Sequence, residues 1–217
     1  MKKIGVLLSG CGVYDGSEIH ESVLTLLAIC KNRAQAVCIA PDISMVHTID
    51  HSCGEERKET RNVLVEAARI SRGNIVRLSD VNVSDLDALI LPGGFGAAKN
   101  LCDYAFNGSD CNVHKDVAAL ITKMADLKKP VGAICIAPVI IAKVLGSRSV
   151  EVTIGTDEKT AGHVESFGAK HVKCEATECH FDEKNKVVTV PAYMNAANIG
   201  EVSEGIEKLV QKIVEIA

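Results

Sequence analysis

Short apolar runs rich in β-branched residues alternate along this chain with longer stretches whose apolar residues recur every three or four positions. That order restricts the fold more than any other feature, because strands separated by helices pair in parallel, and a parallel sheet is covered on both faces. Residues 2–8 (KKIGVLL) read as the first strand. In residues 17–33, Ile19, Val23, Leu26, Leu27 and Cys30 fall at helical spacing behind Ser17, a candidate N-cap. Further strands are expected at 36–41 (AVCIAP), 87–94 (DALILPGG), 130–134 (PVGAI) and 150–155 (VEVTIG). Helices are expected at 60–71, 115–127 and 137–146, the last closed by Gly146. Residues 177–190 read as a hairpin turning around DEKNK, and 195–216 as an amphipathic closing helix. No repeat or Pro/Gly-rich linker divides the 217 residues, so residues 1–217 are expected to form a single α/β domain. Residues 102–114 (CDYAFNGSDCNVH) carry the weakest pattern and read as a surface excursion, in the position of a lid.

Composition narrows the function. A net charge of −4 without long runs of either sign gives no basic patch for nucleic acid. Aromatic residues make up 3% of the chain, with no Trp, which leaves little for a base-stacking or sugar-binding platform. Lys2 and Lys3 precede an apolar stretch ending in LLSGC, but residues 4–8 are shorter than the roughly 7–15 residues of a signal-peptide core. No window reaches the roughly 18 apolar residues of a membrane span. The nine cysteines are scattered, with no C-x-x-C pair, and are expected to be reduced thiols of a cytoplasmic protein. Cys174, Cys179 and His180 in CEATECH lack a second cluster, so no metal site is expected.

Sites in open α/β sheets gather beyond the carboxyl ends of the strands, and three segments lie there. Residues 9–21 (SGCGVYDGSEIHE) place Gly10, Gly12 and Gly16 between strand and helix, one residue longer than a dinucleotide fingerprint, with Asp42 in the position of a ribose-binding acid. Against that reading, Glu18 and Glu21 occupy the helical turn where a pyrophosphate would need bare N–H groups. For Glu18 the simpler role is to complement the helix N-terminus. Residues 91–100 (LPGGFGAAKN) bring Gly93 and Gly94 to a strand end, either as a tight turn or with N–H groups turned toward a reacting oxygen. Residues 132–138 (GAICIAP) lead an apolar strand through Cys135 into a helix, the layout of a nucleophile elbow. A thiol at a helix N-terminus is expected to titrate below the free value of about 8.5. By residue type alone, a Cys among Ile and Ala is more often a small core residue.

Taken together, SGCGVYDGSEIHE, LPGGFGAAKNL, CIAP and VTVPAYM resemble the PfpI-like branch of the class I glutamine amidotransferase-like superfamily. Within it they are similar to the enhancing-lycopene-biosynthesis (ElbB, isoprenoid biosynthesis glyoxalase) family, almost end to end. The resemblance implies a flavodoxin-like three-layer sandwich with a mostly parallel sheet and a nucleophile elbow, and a homodimer. It implies Cys135 as the elbow nucleophile and Glu21 as the acid hydrogen-bonded to it. Gly93, Gly94 and Ile136 would then bind the oxyanion or substrate. Ile136 stands where PfpI-type peptidases place a His, and TVPAYMNAAN carries no late His of a glutaminase, so neither activity is expected. His20, His114, His163 and His180 remain open as a third catalytic group.

Two functions follow. One is a cofactor-independent, glutathione-independent glyoxalase of the lyase or hydratase type, in which the Cys135 thiolate and a Glu21 proton shuttle convert small aldehyde substrates such as methylglyoxal or glyoxal to 2-hydroxy acids. The other is a redox-sensing or regulatory module built on an accessible, low-pKa thiol.

Overall fold

The computed structural model describes residues 1–217. In chain order it begins β1 (Lys3–Leu7), α1 (Ile19–Lys31), β2 (Gln35–Ala40), a ribbon of β3 (Ile49–Asp50) and β4 (Glu55–Glu56), then α2 (Val63–Ile70) and β5 (Val76–Arg77). The middle comprises β6 (Ala88–Leu91), the short α3 (Tyr104–Asn107), α4 (Lys115–Asp126), β7 (Val131–Ile134) and α5 (Pro138–Leu145). It ends with β8 (Glu151–Val152), α6 (Glu158–Ser166), β9 (Lys170–His171), β10 (His180–Asp182), β11 (Val187–Val190) and α7 (Ile199–Ile216). Seven strands form one sheet in the order β10-β11-β7-β6-β1-β2-β5. It is parallel except for β10, which runs antiparallel beside β11 at the edge. The expected flavodoxin-like three-layer sandwich is therefore the fold, and the hairpin around DEKNK is its β10–β11 edge.

Side-chain alternation along the strands divides the interior into two cores. Ile4, Val6, Ile90, Ile134, Val188 and Val190 face α1, α2 and α7, where they meet Ile29, Val63, Ile206, Leu209 and Ile213. Leu7, Leu89, Leu91, Val131, Ala133 and Val187 point the other way, onto Ile121 and Met124 of α4, Ile141 of α5 and Val164 of α6. Each large side chain buried in this way contributes roughly 1.5–3 kcal/mol. No helix is long and apolar enough to cross a membrane.

Three expectations change. The strand expected at 150–155 shrinks to β8, which pairs only with β9. The hairpin already holds the sheet edge, and side chains take up the next backbone donors: Asp182 accepts from the Glu151 N–H at 2.8 Å and Thr189 from the Thr153 N–H at 2.9 Å. The N-cap of α1 is Glu18, not Ser17, because the Ser17 hydroxyl accepts the Ser9 N–H at 2.8 Å instead. Gly146 follows α5 without a left-handed turn, and the positive φ falls at Ser149. Residues 102–114 do form a surface excursion, anchored by the pairing of Cys102 with Val113 and by the buried Cys102 and Cys111.

The role of Gly146 is clearance, since a Cβ there would lie 1.9 Å from the Phe167 carbonyl oxygen. Gly146→Ala should lower stability by about 1–3 kcal/mol. Gly162→Ala, on the open face of α6, should raise it by about 0.5–1 kcal/mol. Paired thermal melts test both, and equal melting temperatures would refute the clearance argument.

Candidate active site

β7 ends in Ile134, and the chain turns at once: Cys135 has φ +62°, a left-handed conformation that costs a non-glycine residue energy. Two backbone bonds hold the turn. The Cys135 N–H donates to the Val190 carbonyl of the neighbouring strand at 2.9 Å, and the Ala137 N–H to Ile134 at 3.0 Å. The side chain is thereby held at the sheet's carboxyl end, 9% exposed. This is the elbow, but α5 starts only at Pro138.

Glu21 arrives from the first turn of α1. Glu18 caps that helix, its carboxylate accepting the Glu21 N–H at 2.7 Å, so the preference for acids at a helix start places one carboxyl group beside another. Glu21 is fully buried. Its Oε2 accepts the Gly93 N–H at 2.9 Å, and the Cys135 thiol and the Tyr193 N–H also face the carboxyl. Gly93 must be glycine here, because a Cβ would stand 2.6 Å from the Cys135 Cβ and 2.7 Å from Glu21 Oε2. Since the Gly93 N–H is engaged by Glu21, the donors left to face the thiol are the N–H groups of Gly94 and Ile136.

Burial, and then the neighbouring Glu18, push the Glu21 carboxyl up from its ordinary 4.5 to about 8. Burial, and then Glu21, push the Cys135 thiol well above its ordinary value, against the pull of the Gly94 and Ile136 N–H groups. The thiol is therefore not lowered by the helix N-terminus as its sequence position suggested. The distance to Pro138 removes most of the dipole's benefit, and desolvation dominates. Two acids in contact titrate as a pair, so the first proton to leave belongs to both.

Above the thiol lies a cavity of about 290 Å³, walled by Val13, Phe95, Ile136, Tyr193 and Met194, with Glu18 as its one charged group. Tyr193 and Met194 had no assigned role in the sequence, although VPAYM belongs to the resemblance. Their signal was a polar aromatic just past a strand end in a chain with few aromatics. Of the four candidate histidines, three bond elsewhere and His20 meets the site through Tyr193. His20 reaches the Tyr193 hydroxyl at 2.7 Å, and His114 accepts the Asp116 N–H at 3.3 Å. His163 pairs with the Tyr104 hydroxyl at 2.9 Å, and His180 with Glu151 at 3.1 Å. The glycines at 10, 12 and 16 form no phosphate loop. Gly16 is packed against backbone, where a Cβ would sit 2.2 Å from the Cys11 nitrogen, and its carbonyl takes the Gly96 N–H at 2.9 Å. Asp42 pairs with Arg77 at 3.1 Å.

A carboxyl raised on folding adds stability that is complete below its unfolded value, near 4.5, and is lost as pH rises through its folded value, about 8. Glu21→Gln keeps the shape and cannot ionise. It should melt higher than the wild type at pH 8, by at most on the order of 4 kcal/mol, and nearly equal to it at pH 4. A constant difference across that range, measured by denaturation, would contradict the buried-acid assignment.

The DJ-1/PfpI family model matches residues 43–190. The "ES1 protein homolog, mitochondrial" of Rattus norvegicus is 45% identical over 99% of this chain and 84% of its own length. The "Glutamine amidotransferase-like class 1 domain-containing protein 3, mitochondrial" of Homo sapiens is 44% identical over 99% of this chain and 83% of its own. The crystal structure of an isoprenoid biosynthesis protein with an amidotransferase-like domain from Ehrlichia chaffeensis superposes with a TM-score of 0.92 at 32% identity, covering 99% of this chain and 100% of that one. The mitochondrial relatives overturn the expectation of a cytoplasmic location. Free thiols report a reducing medium and not an address. The matching family model, together with relatives that align along nearly the whole chain, makes this protein a member of the DJ-1/PfpI family.

Proposed function

We propose that the chain is a glyoxalase of the ElbB type, converting 2-oxoaldehydes to 2-hydroxy acids without glutathione, metal or organic cofactor. The observation that carries this reading is the contact of a buried carboxyl with an elbow thiol at the floor of a small apolar cavity. The Ehrlichia protein, named for isoprenoid biosynthesis, supports the subfamily.

The pair loses its first proton, and the reactive form is the one in which the charge sits on sulfur, facing the N–H groups of Gly94 and Ile136, while Glu21 keeps the remaining proton. Sulfur attacks the aldehyde carbon, Glu21 protonates the new alkoxide, and a hemithioacetal results. Glu21, now a carboxylate, removes the hydrogen from that carbon to give an enediolate and returns it to the adjacent carbon, while the hydroxyl proton of the first carbon passes to the former ketone oxygen, leaving a 2-hydroxy thioester. Water attacks the thioester, its proton passes to Glu21, and the 2-hydroxy acid leaves the thiolate behind. One carbon is oxidised and its neighbour reduced, so no external redox partner is needed. A carboxyl with a value of about 8 suits both proton transfers near neutral pH. The raised Cys135 thiol bears on the redox-sensing reading in the same way, since a sensor and a nucleophile both need the thiolate.

Lactate formed from methylglyoxal, or glycolate from glyoxal, tests this directly. Wild type should turn over, Cys135→Ala should not, and Glu21→Gln should fall roughly 10²–10⁴-fold. Absence of turnover from both aldehydes, with Cys135 still open to iodoacetamide, would overturn the proposal.

The same reading carries a homodimer. Ile19, Val23 and Leu27 stand 43%, 48% and 47% exposed at four-residue intervals on α1, an apolar stripe that a second copy would cover. Sedimentation should show a dimer for the wild type and a monomer for Leu27→Glu, and a wild-type monomer would refute the assembly.

A further inference from the structure

The cavity over Cys135 is not closed. Phe95 and Ile136 also line a second, larger cleft of about 550 Å³, so two residues form a wall common to both. The far side of that cleft differs in chemistry from the chamber over the thiol. Where the inner chamber has Glu18 as its one charged group, the outer cleft has Lys159. Beside it lie Thr160 and His163, whose ring is held by the Tyr104 hydroxyl at 2.9 Å. A second cation supports the same wall, with Lys143 donating to the Ser109 carbonyl at 3.3 Å. Of the neighbouring acids, Asp103 is turned to the Asn112 N–H at 2.6 Å, while Asp157 caps α6 through the Thr160 N–H at 2.7 Å and lies close enough to Lys159 and His163 for their charges to act on it. The inner chamber thus suits an uncharged carbonyl group, and the outer cleft suits an anion.

We propose that the preferred substrate is a 2-oxoaldehyde with an anionic arm, its carbonyls over Cys135 and the arm passing Phe95 and Ile136 toward Lys159 and His163. This rests on the glyoxalase reading and names the substrate class that reading leaves open. Methylglyoxal would then be the minimal substrate, filling the inner chamber alone.

The probe is 4,5-dioxopentanoate, a 2-oxoaldehyde ending in a carboxylate. With one water it gives 2-hydroxyglutarate, the aldehyde carbon being oxidised and the ketone carbon reduced. Its kcat/KM should exceed that of its neutral methyl ester by about fivefold at low salt, and the ratio should shrink as ionic strength rises. Lys159→Gln should bring the ratio close to one. Equal kcat/KM for acid and ester, or a preference that survives Lys159→Gln, would overturn the assignment.

A second measurement separates this proposal from the glyoxalase reading. Levulinate has a ketone and a carboxylate but no aldehyde, and 2-pentanone lacks the charge. If no aldehyde is turned over, protection of Cys135 from iodoacetamide still decides. Stronger protection by levulinate than by 2-pentanone, lost in Lys159→Gln, would uphold the anionic subsite and leave only the catalytic reading refuted. Equal protection would refute the subsite.

Discussion

A carboxyl group is buried at the sheet's carboxyl end with no basic side chain among the groups that act on it, and the rest of the site is arranged around that fact. Leaving Glu21 ionised there would cost several kcal/mol, so it holds its proton to about pH 8. A proton held so loosely at neutral pH is one that can be moved. The same desolvation acts on Cys135, and neither group can be charged without penalising the other. In the proposed mechanism the mobile proton comes from burial, whereas a low-pKa thiol would draw its reactivity from a cation or a helix dipole.

Such a contact needs backbone where side chains would ordinarily be. The loop after β1 and the loop after β6 meet through glycines: the Glu18 N–H donates to the Gly93 carbonyl, the Gly96 N–H to the Gly16 carbonyl, and the Phe95 N–H to the Val13 carbonyl, all at 2.8–2.9 Å. A Cβ at Gly94 or Gly96 would come within 2.4 Å of the opposing loop. Two strand ends are thereby locked to each other, the kind of preorganisation that electrostatic stabilisation of an oxyanion requires.

The layered α/β sheet was legible because periodicity is written along the strands and helices themselves, as in the alternation of Ile4, Val6 and Leu7. The meeting of Cys135, Glu21, Gly94 and Ile136 was readable only through resemblance, since residues 21, 94 and 135 share nothing in sequence that says they touch. What the sequence concealed was competition between nearby groups. Ser17 and Glu18 both suit an N-cap, and only the Ser9 N–H, from the start of the same loop, decides between them. The thiol's direction of shift depended on whether burial or the dipole prevails, and a segment read in isolation cannot weigh the two. The strand at 150–155 was shortened by Asp182 and Thr189, residues more than thirty positions away.

α1 carries two unrelated burdens on opposite faces. Inward it presents Glu21, Ser22 and Thr25, all buried, and outward Ile19, Val23 and Leu27. Successive residues of a helix are turned by about 100° from one another, so these faces are locked in phase. Point changes on the outer face leave that phase intact. Insertion or loss of a single residue between Glu18 and Glu21 would swing the carboxyl a quarter turn from the thiol while disturbing the apolar stripe, so this segment can vary in identity but not in length.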